Sequence, residues 1–355
     1  MIRLAWPDLG AEELAAVEEV FRSGQLTMGP RVEEFESALA SACEVEHAVV
    51  VSSGTAALHV AVLALGIGPG DEVIVPAYTF PATANVVALV GARPVLVDVD
   101  PETMNVTAET VAAGLSPRTK AVLVVHLFGR PAPWEELEAA VTDGVALLED
   151  AAGALGARRQ GRACGGLGRL GCLSFHPRKI VTTGEGGAVT TNDPEIADAI
   201  RRLRHHGIEP RGDFEIRAAG LNYRLPDILC AIGTTQMHRL GELLTERERL
   251  AAAYGERLGS VVGLPSADEG DRHGWQAYVV RTDGRDEALE ALAAAGIQAQ
   301  IGTYALHRLA AYADQGPFPG ADEAFELALA LPFHSRLAAP DLDRVSEALT
   351  DLVSE

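Results

Sequence analysis

The chain has 355 residues, 48% of them hydrophobic, with 36 glycines and 19 prolines, enough to bury a large core in two domains or in one large and one small unit. Against 50 acidic residues stand 29 lysines and arginines, a net charge of −21, which argues against general affinity for nucleic acid or anionic lipid. The opening residues Met1-Ile2-Arg3-Leu4-Ala5-Trp6-Pro7 lack the apolar centre of a secretory signal, and no apolar run reaches membrane-spanning length, so a cytoplasmic protein is expected. Cys43, Cys164, Cys172 and Cys230 form no C-x-x-C pair and keep no regular spacing, the pattern of buried free thiols rather than of disulfides or a zinc site.

Residues 10–23 carry apolar side chains at helical spacing up to Gly24; a polar loop, 25–30, and a second helix over 32–42 follow. The β-branched run 47–52 reads as a strand, Ser53-Gly54-Thr55 as a turn and 56–65 as a helix. Such a junction can cradle an anion, with free N–H groups and the Thr55 hydroxyl along the helix dipole. The same Ser and Thr serve equally as ordinary helix caps. Strands at 72–76, 94–97, 121–126 and 145–149 then alternate with helices at 80–90, 107–115 and 134–141. Repeated β–α units of this size predict an α/β fold, a mainly parallel sheet with helices on both faces. Ligands of such sheets bind beyond the carboxyl ends of the strands. The Ser53-Gly54-Thr55 turn, Phe80, His126 and Asp150 all fall at such ends.

Gly166-Leu167-Gly168-Arg169-Leu170-Gly171 matches G-x-G-x-x-G letter for letter. It leads into a strand instead of joining a strand to a helix, so the dinucleotide reading lacks its context. The strand 172–175 then stops at Pro177, presents Lys179 and passes through Gly184-Glu185-Gly186-Gly187 into a strand at 188–191. An amine held out of bulk water loses solvation that favours its charged form, so its pKa falls. It can then attack a carbonyl or hold one as a Schiff base. Taken alone, Lys179 reads first as a structural lysine at a strand end. A helix over 194–205 ends at His205 and His206, which have no further ligand at metal spacing and read as helix-end residues. Asn222-Tyr223-Arg224-Leu225-Pro226-Asp227 leads into a long helical stretch to about 258. Past a Gly-, Pro-, Asp- and Ser-rich break at 260–274 come a strand (276–282), a helix (285–295), a strand (298–301) and helices near 321–330 and 341–353. This tail reads as a smaller second domain, and the division is expected at 1–240 and 241–355.

Three elements thus stand at strand ends: an acid (Asp150), an anion cradle (53–55) and a lysine 29 residues after the acid. Pyridoxal phosphate asks for this set. Its phosphate needs N–H and hydroxyl donors, its ring nitrogen a carboxylate that keeps it protonated, and its aldehyde an amine. Phe80 is available to cover a ring face.

Ordered blocks through nearly the whole chain carry a resemblance. They include Arg22-Ser23-Gly24-Gln25-Leu26-Thr27-Met28-Gly29-Pro30, Ser53-Gly54-Thr55-Ala56-Ala57-Leu58, Val75-Pro76-Ala77-Tyr78-Thr79-Phe80 and Val125-His126-Leu127-Phe128-Gly129. Glu149-Asp150-Ala151-Ala152, Ser174-Phe175-His176-Pro177-Arg178-Lys179, Gly184-Glu185-Gly186-Gly187 and Asn222-Tyr223-Arg224 follow. In these the chain resembles the sugar aminotransferases of the DegT/DnrJ/EryC1/StrS type, pyridoxal-phosphate enzymes of fold type I. The resemblance implies a large domain with a mainly parallel seven-stranded sheet between helices, followed by a smaller C-terminal α/β domain. It implies Lys179 as the Schiff-base lysine and proton carrier, Asp150 on the pyridine nitrogen and Phe80 on the ring. Gly54, Thr55 and Ser174 would bind the phosphate, and Asn222 would reach the phosphate of a neighbouring subunit in a homodimer. Tyr304, His307 and Arg224 are implied substrate contacts, and no metal is expected. The reaction implied is ping-pong transfer of an amino group from glutamate to a keto group of a nucleotide-linked sugar. A ketocyclitol acceptor and a non-catalytic cofactor-binding regulator are the alternatives. Sugar dehydratases on the same scaffold typically carry histidine at the lysine position. Two departures stand out: Gly153, where the family commonly has Gln or His on the cofactor's 3-hydroxyl, and Gln25, where Trp is frequent.

Overall fold

Seven apolar runs pair into one sheet in the computed structural model, which describes residues 1–209, 215, 216 and 218–353. In chain order they are β1 (His47–Val51), β2 (Glu72–Pro76), β3 (Arg93–Val97), β4 (Thr119–Val125), β5 (Ala146–Asp150), β6 (Leu170–Ser174) and β7 (Gly187–Thr191). They lie side by side as β1-β7-β6-β5-β4-β2-β3. All neighbours are parallel except β7, which runs antiparallel to β1 and to β6. Runs such as Val49-Val50-Val51 and Val73-Ile74-Val75 are buried on both faces, because helices cover both sides. Their sequence is therefore continuously apolar and not alternating. The expected strands are all present, with ends displaced by one or two residues.

A second sheet has three strands: β8 (Tyr278–Arg281), β9 (Gln300–Ile301) and, between them, β10 (Ala328–Leu331). Here the sequence reading needs correction. The helix expected near 321–330 is Pro319–Leu327, and its last residues are instead the central strand β10. An Ala-Leu repeat has no period that separates a buried helix from a buried strand; antiparallel pairing to β8 and β9 decides it. The long helical stretch to 258 is likewise two helices, Asp227–His238 and Leu240–Leu258, which meet at Arg239. The first serves one core, while the second begins on that same core with Leu243 and Leu244 and continues into another. The first buries Cys230 and Met237 in the apolar cluster around the large sheet. The second buries Leu250, Tyr254 and Leu258 with Tyr278, Leu329 and Val345. Ile2 joins that second cluster, its N–H bonded to the Gly296 carbonyl at 2.9 Å.

All four cysteines are buried and unbridged. Burial pushes their thiols up, Cys43 to about 12, so they are unreactive packing groups. Among the described residues no helix is long and apolar enough to cross a membrane.

Candidate active site

At the carboxyl edge of the large sheet, where β1, β2, β4, β5 and β6 end, lies a cleft of about 570 Å³. Gly54, Thr55, Phe80, Asp150, Ser174 and Lys179 all line it, and Gln276 enters it from the segment leading to β8.

The cradle is built by the turn after β1. Ser53 has extended backbone and caps the helix Gly54–Ala64, its Oγ accepting from the Ala56 N–H at 3.0 Å. Capping and anion binding thus divide between neighbours. Ser53 serves the helix, while the N–H groups of Gly54 and Thr55 have no acceptor among the described residues. A Cβ on Gly54 would sit 2.7 Å from the Ser174 Cβ, so glycine is what lets this turn close on the end of β6. Two free N–H groups at a helix N-terminus, with the Thr55 and Ser174 hydroxyls lining the same cleft, are donors that could hold an anion such as a phosphate.

Asp150 ends β5 and is only 6% exposed. Its carboxylate accepts from the Thr83 hydroxyl at 2.9 Å and from the Ala152 N–H at 3.2 Å. Burial pushes its pKa up, while those two hydrogen bonds and the Lys179 charge oppose it. Lys179 sits in the tight turn after β6, its backbone N–H donating to the His176 carbonyl at 2.8 Å. Burial pulls its amine below the ordinary 10.5, with Asp150 opposing and Arg178 assisting. The chain contains just one other lysine, Lys120, and that residue is exposed.

The glycine-rich Gly166–Gly171 motif proves to cradle an anion of the protein's own. Glu149, fully buried, accepts backbone N–H groups from Gly165 (2.6 Å), Leu167 (2.7 Å) and Gly168 (2.8 Å). It also meets the His126 Nε2 at 3.0 Å. The other ring nitrogen of His126 accepts the Ala132 N–H at 3.0 Å, which assigns the proton to Nε2. The ligand atoms of His126, Glu149 and Cys164 lie within 4.8 Å of one another, yet the histidine and the carboxylate are already committed to these bonds. Their effect is to anchor the loops flanking Asp150. Glu149→Ala, which strands the buried N–H groups of Gly165 and Leu167, the part-buried one of Gly168 and the His126 ring, is expected to lower the unfolding free energy by about 3 kcal/mol or more in urea titration.

The remaining expected residues do not line the cleft. Tyr304 is at its rim, held by pairing of Tyr304–Ala305 with Tyr78–Thr79, and meets the exposed Phe80 ring edge-on at 6.3 Å. His307 is tied to Asp322 at 3.0 Å. Asn222 is exposed, and its Oδ1 accepts from Arg224 at 3.0 Å, while Arg224 also reaches His205 at 2.9 Å. Sequence reasoning missed Thr83 and Gln276. Thr83 stands four residues after Thr79 at the start of a helix and carries no motif; the glycine at position 153 is the one sequence signal that another residue must fill the adjacent space.

Comparison with known proteins matches the DegT/DnrJ/EryC1/StrS aminotransferase family model over residues 7–350. GDP-perosamine synthase from Caulobacter vibrioides is 39% identical over 364 residues, covering 99% of this chain and 98% of that protein. Among solved structures, the aminotransferase TlmJ from Streptoalloteichus hindustanus superposes with a TM-score of 0.96 at 40% identity, covering 100% of this chain and 99% of that one. A Streptococcus pneumoniae protein solved in its PLP-form superposes with a TM-score of 0.94 at 27% identity, covering 99% of this chain and 98% of that one.

Proposed function

The chain belongs to the DegT/DnrJ/EryC1/StrS aminotransferase family, and from that premise we propose that it is a pyridoxal-phosphate enzyme moving an amino group from glutamate to a keto group of a nucleotide-linked sugar. The observation that carries this reading is the convergence of Lys179, buried Asp150 and the Gly54–Thr55 cradle on one cleft. The acceptor class is supported by the likeness to GDP-perosamine synthase, a protein named for a GDP-linked sugar.

The residues fit the cofactor. A phosphate at the cradle meets the free N–H groups of Gly54 and Thr55 and the hydroxyls of Thr55 and Ser174, in room that exists because position 54 has no Cβ. Asp150 is an acid held out of water, suited to keeping a ring nitrogen protonated. Phe80 offers an aromatic face at the mouth of the cleft. When bound, pyridoxal phosphate supplies an electron sink that acidifies the donor's α-carbon. Lys179 Nζ, its proton affinity lowered by burial, would carry the proton from that carbon to the cofactor's aldehyde carbon in the first half-reaction, and from there to the acceptor's former keto carbon in the second. Asn222, exposed on its own chain, would reach the cradle of a second copy and make a homodimer the working unit. Tyr304 at the rim is placed to touch substrate. His307 and Arg224 would have to leave Asp322, Asn222 and His205 to do so.

With just two lysines in the chain, the test is unambiguous. Protein loaded with pyridoxal phosphate and reduced with borohydride should carry the label on the Lys179 peptide, with the Lys120 peptide unmodified. Glutamate added before reduction should discharge the visible band and protect Lys179 from labelling. Label on Lys120, or on neither, would refute the assignment. A panel of ketosugar nucleotides and ketocyclitols as amine acceptors then tests the substrate class.

A further inference from the structure

Among the described residues, Gln276 is the one amide side chain that lines the cleft, and none of the roles above uses it. Its Cβ, Cγ and Oε1 each lie 3.5 Å from the point where a Cβ would stand on Gly153, three residues beyond Asp150. The half-buried amide is underused. Its Oε1 has no hydrogen-bond partner among the described residues, and its Nε2 makes a single long bond of 3.4 Å to the Arg178 carbonyl.

The backbone that delivers Gln276 is strained on both sides of the contact. Its N–H donates to the Phe128 carbonyl at 3.0 Å, and the Gly274 N–H donates to the Gly129 carbonyl at 2.8 Å. These bonds join the segment ahead of β8 to the turn after β4. Phe128 (φ 57°) and Trp275 (φ 47°) both occupy the left-handed region, where the Cβ of a non-glycine residue crowds its own backbone. Trp275 is pinned there by its N–H bond to His273 Nδ1 at 2.8 Å and by ring stacking on His273 at 4.0 Å. Gly129 admits no side chain, since a Cβ would lie 2.8 Å from the Trp275 nitrogen. Strain concentrated at the point that feeds a poorly partnered amide into a cleft is the pattern of a functional contact rather than of packing.

Resting on the pyridoxal-phosphate reading, we propose that Gln276 is a cofactor-contacting residue that hydrogen-bonds the ring hydroxyl from the Gly153 side of Asp150. The phosphate, the ring nitrogen and the aldehyde already have partners in the cradle, Asp150 and Lys179. The hydroxyl is the polar substituent left over. It needs a group able to accept while it is protonated and to donate once it is ionised, and a glutamine amide does both.

The test is a titration of full-length apoprotein with pyridoxal phosphate, read as the dissociation constant and as the pH midpoint of the visible band. Q276M keeps the length of the side chain and removes the amide; Q276A removes both. Q276M is expected to weaken binding about tenfold, equivalent to about 1.4 kcal/mol, and to move the pH midpoint, with the thermal unfolding of the apoprotein unchanged. G153Q placed in the Q276A background should restore affinity to within about threefold of wild type, because both side chains would occupy one space. An affinity and a pH midpoint in Q276M equal to wild type overturn the assignment, whether or not the melting temperature falls. Failure of G153Q to restore binding overturns it as well. Wild-type apoprotein that takes up no pyridoxal phosphate refutes the cofactor reading itself, whereas normal uptake by both wild type and Q276M refutes only the role of Gln276.

Discussion

Lys179→Ala is expected to lower turnover about 10⁴-fold, the upper range of what one positioned proton-transfer group contributes, and to leave the fold intact. The side chain lines a cleft instead of filling a core, so its truncation creates no closed cavity. Its removal also has a signature in stability. Burial holds the Lys179 amine below its ordinary 10.5, so between the lowered value and 10.5 the unfolded chain binds one proton more than the folded one. Apoprotein stability therefore rises with pH across that window. In the alanine variant this contribution to the slope vanishes. Urea titrations of both apoproteins at several pH values up to 10.5 measure it. Turnover in Lys179→Ala within tenfold of wild type would remove the lysine from the chemistry.

Asp150→Asn should cost turnover about 10³-fold, the range seen when one electrostatic partner of a reacting centre is lost. The amide keeps the size of the carboxyl: its oxygen can accept from the Ala152 N–H, now 3.2 Å away, and its NH2 can donate to the Thr83 hydroxyl oxygen, now 2.9 Å away, with that hydroxyl donating to the Phe80 carbonyl, but it carries no charge to hold a ring nitrogen protonated. The sign of the stability effect is opposite to that on activity. Burial raises the Asp150 pKa above its ordinary 3.8. The folded protein thus keeps a proton that the unfolded chain has released, and stability falls as pH climbs through the interval between the two values. Above that interval the asparagine variant should be the more stable apoprotein. An inactive variant that is also more resistant to denaturant identifies a residue retained for chemistry rather than for folding. A variant less stable than wild type at neutral pH, or fully active, would contradict this account.

The sequence by itself determined the class of fold and which chemical groups stand at the strand ends. Runs such as Val49-Val50-Val51 and Val73-Ile74-Val75 announce strands buried on both faces, and the helical stretches between them leave a parallel sheet as the economical arrangement. Because ligands of such sheets lie beyond the carboxyl ends, the positions of the 53–55 turn, Phe80 and Asp150 in the chain already foretold a shared cleft. These signals are local, written within five to ten residues as apolar period and turn chemistry.

Only the tertiary structure decided which groups complete that cleft. The glycine-rich motif at 166–171 lacks the strand-to-helix context of a dinucleotide site, and nothing in its sequence points to the group its loop holds, the Glu149 carboxylate of the neighbouring strand. Ala328–Leu331 became a strand because two partners flank it, although its own sequence favours neither state. Gln276 meets Gly153, and Thr83 meets Asp150, across segments far apart in the chain. Strand pairing, burial and hydrogen bonding between distant segments leave no periodic trace in the sequence, and their free energy is set only when the partners are brought within bonding distance.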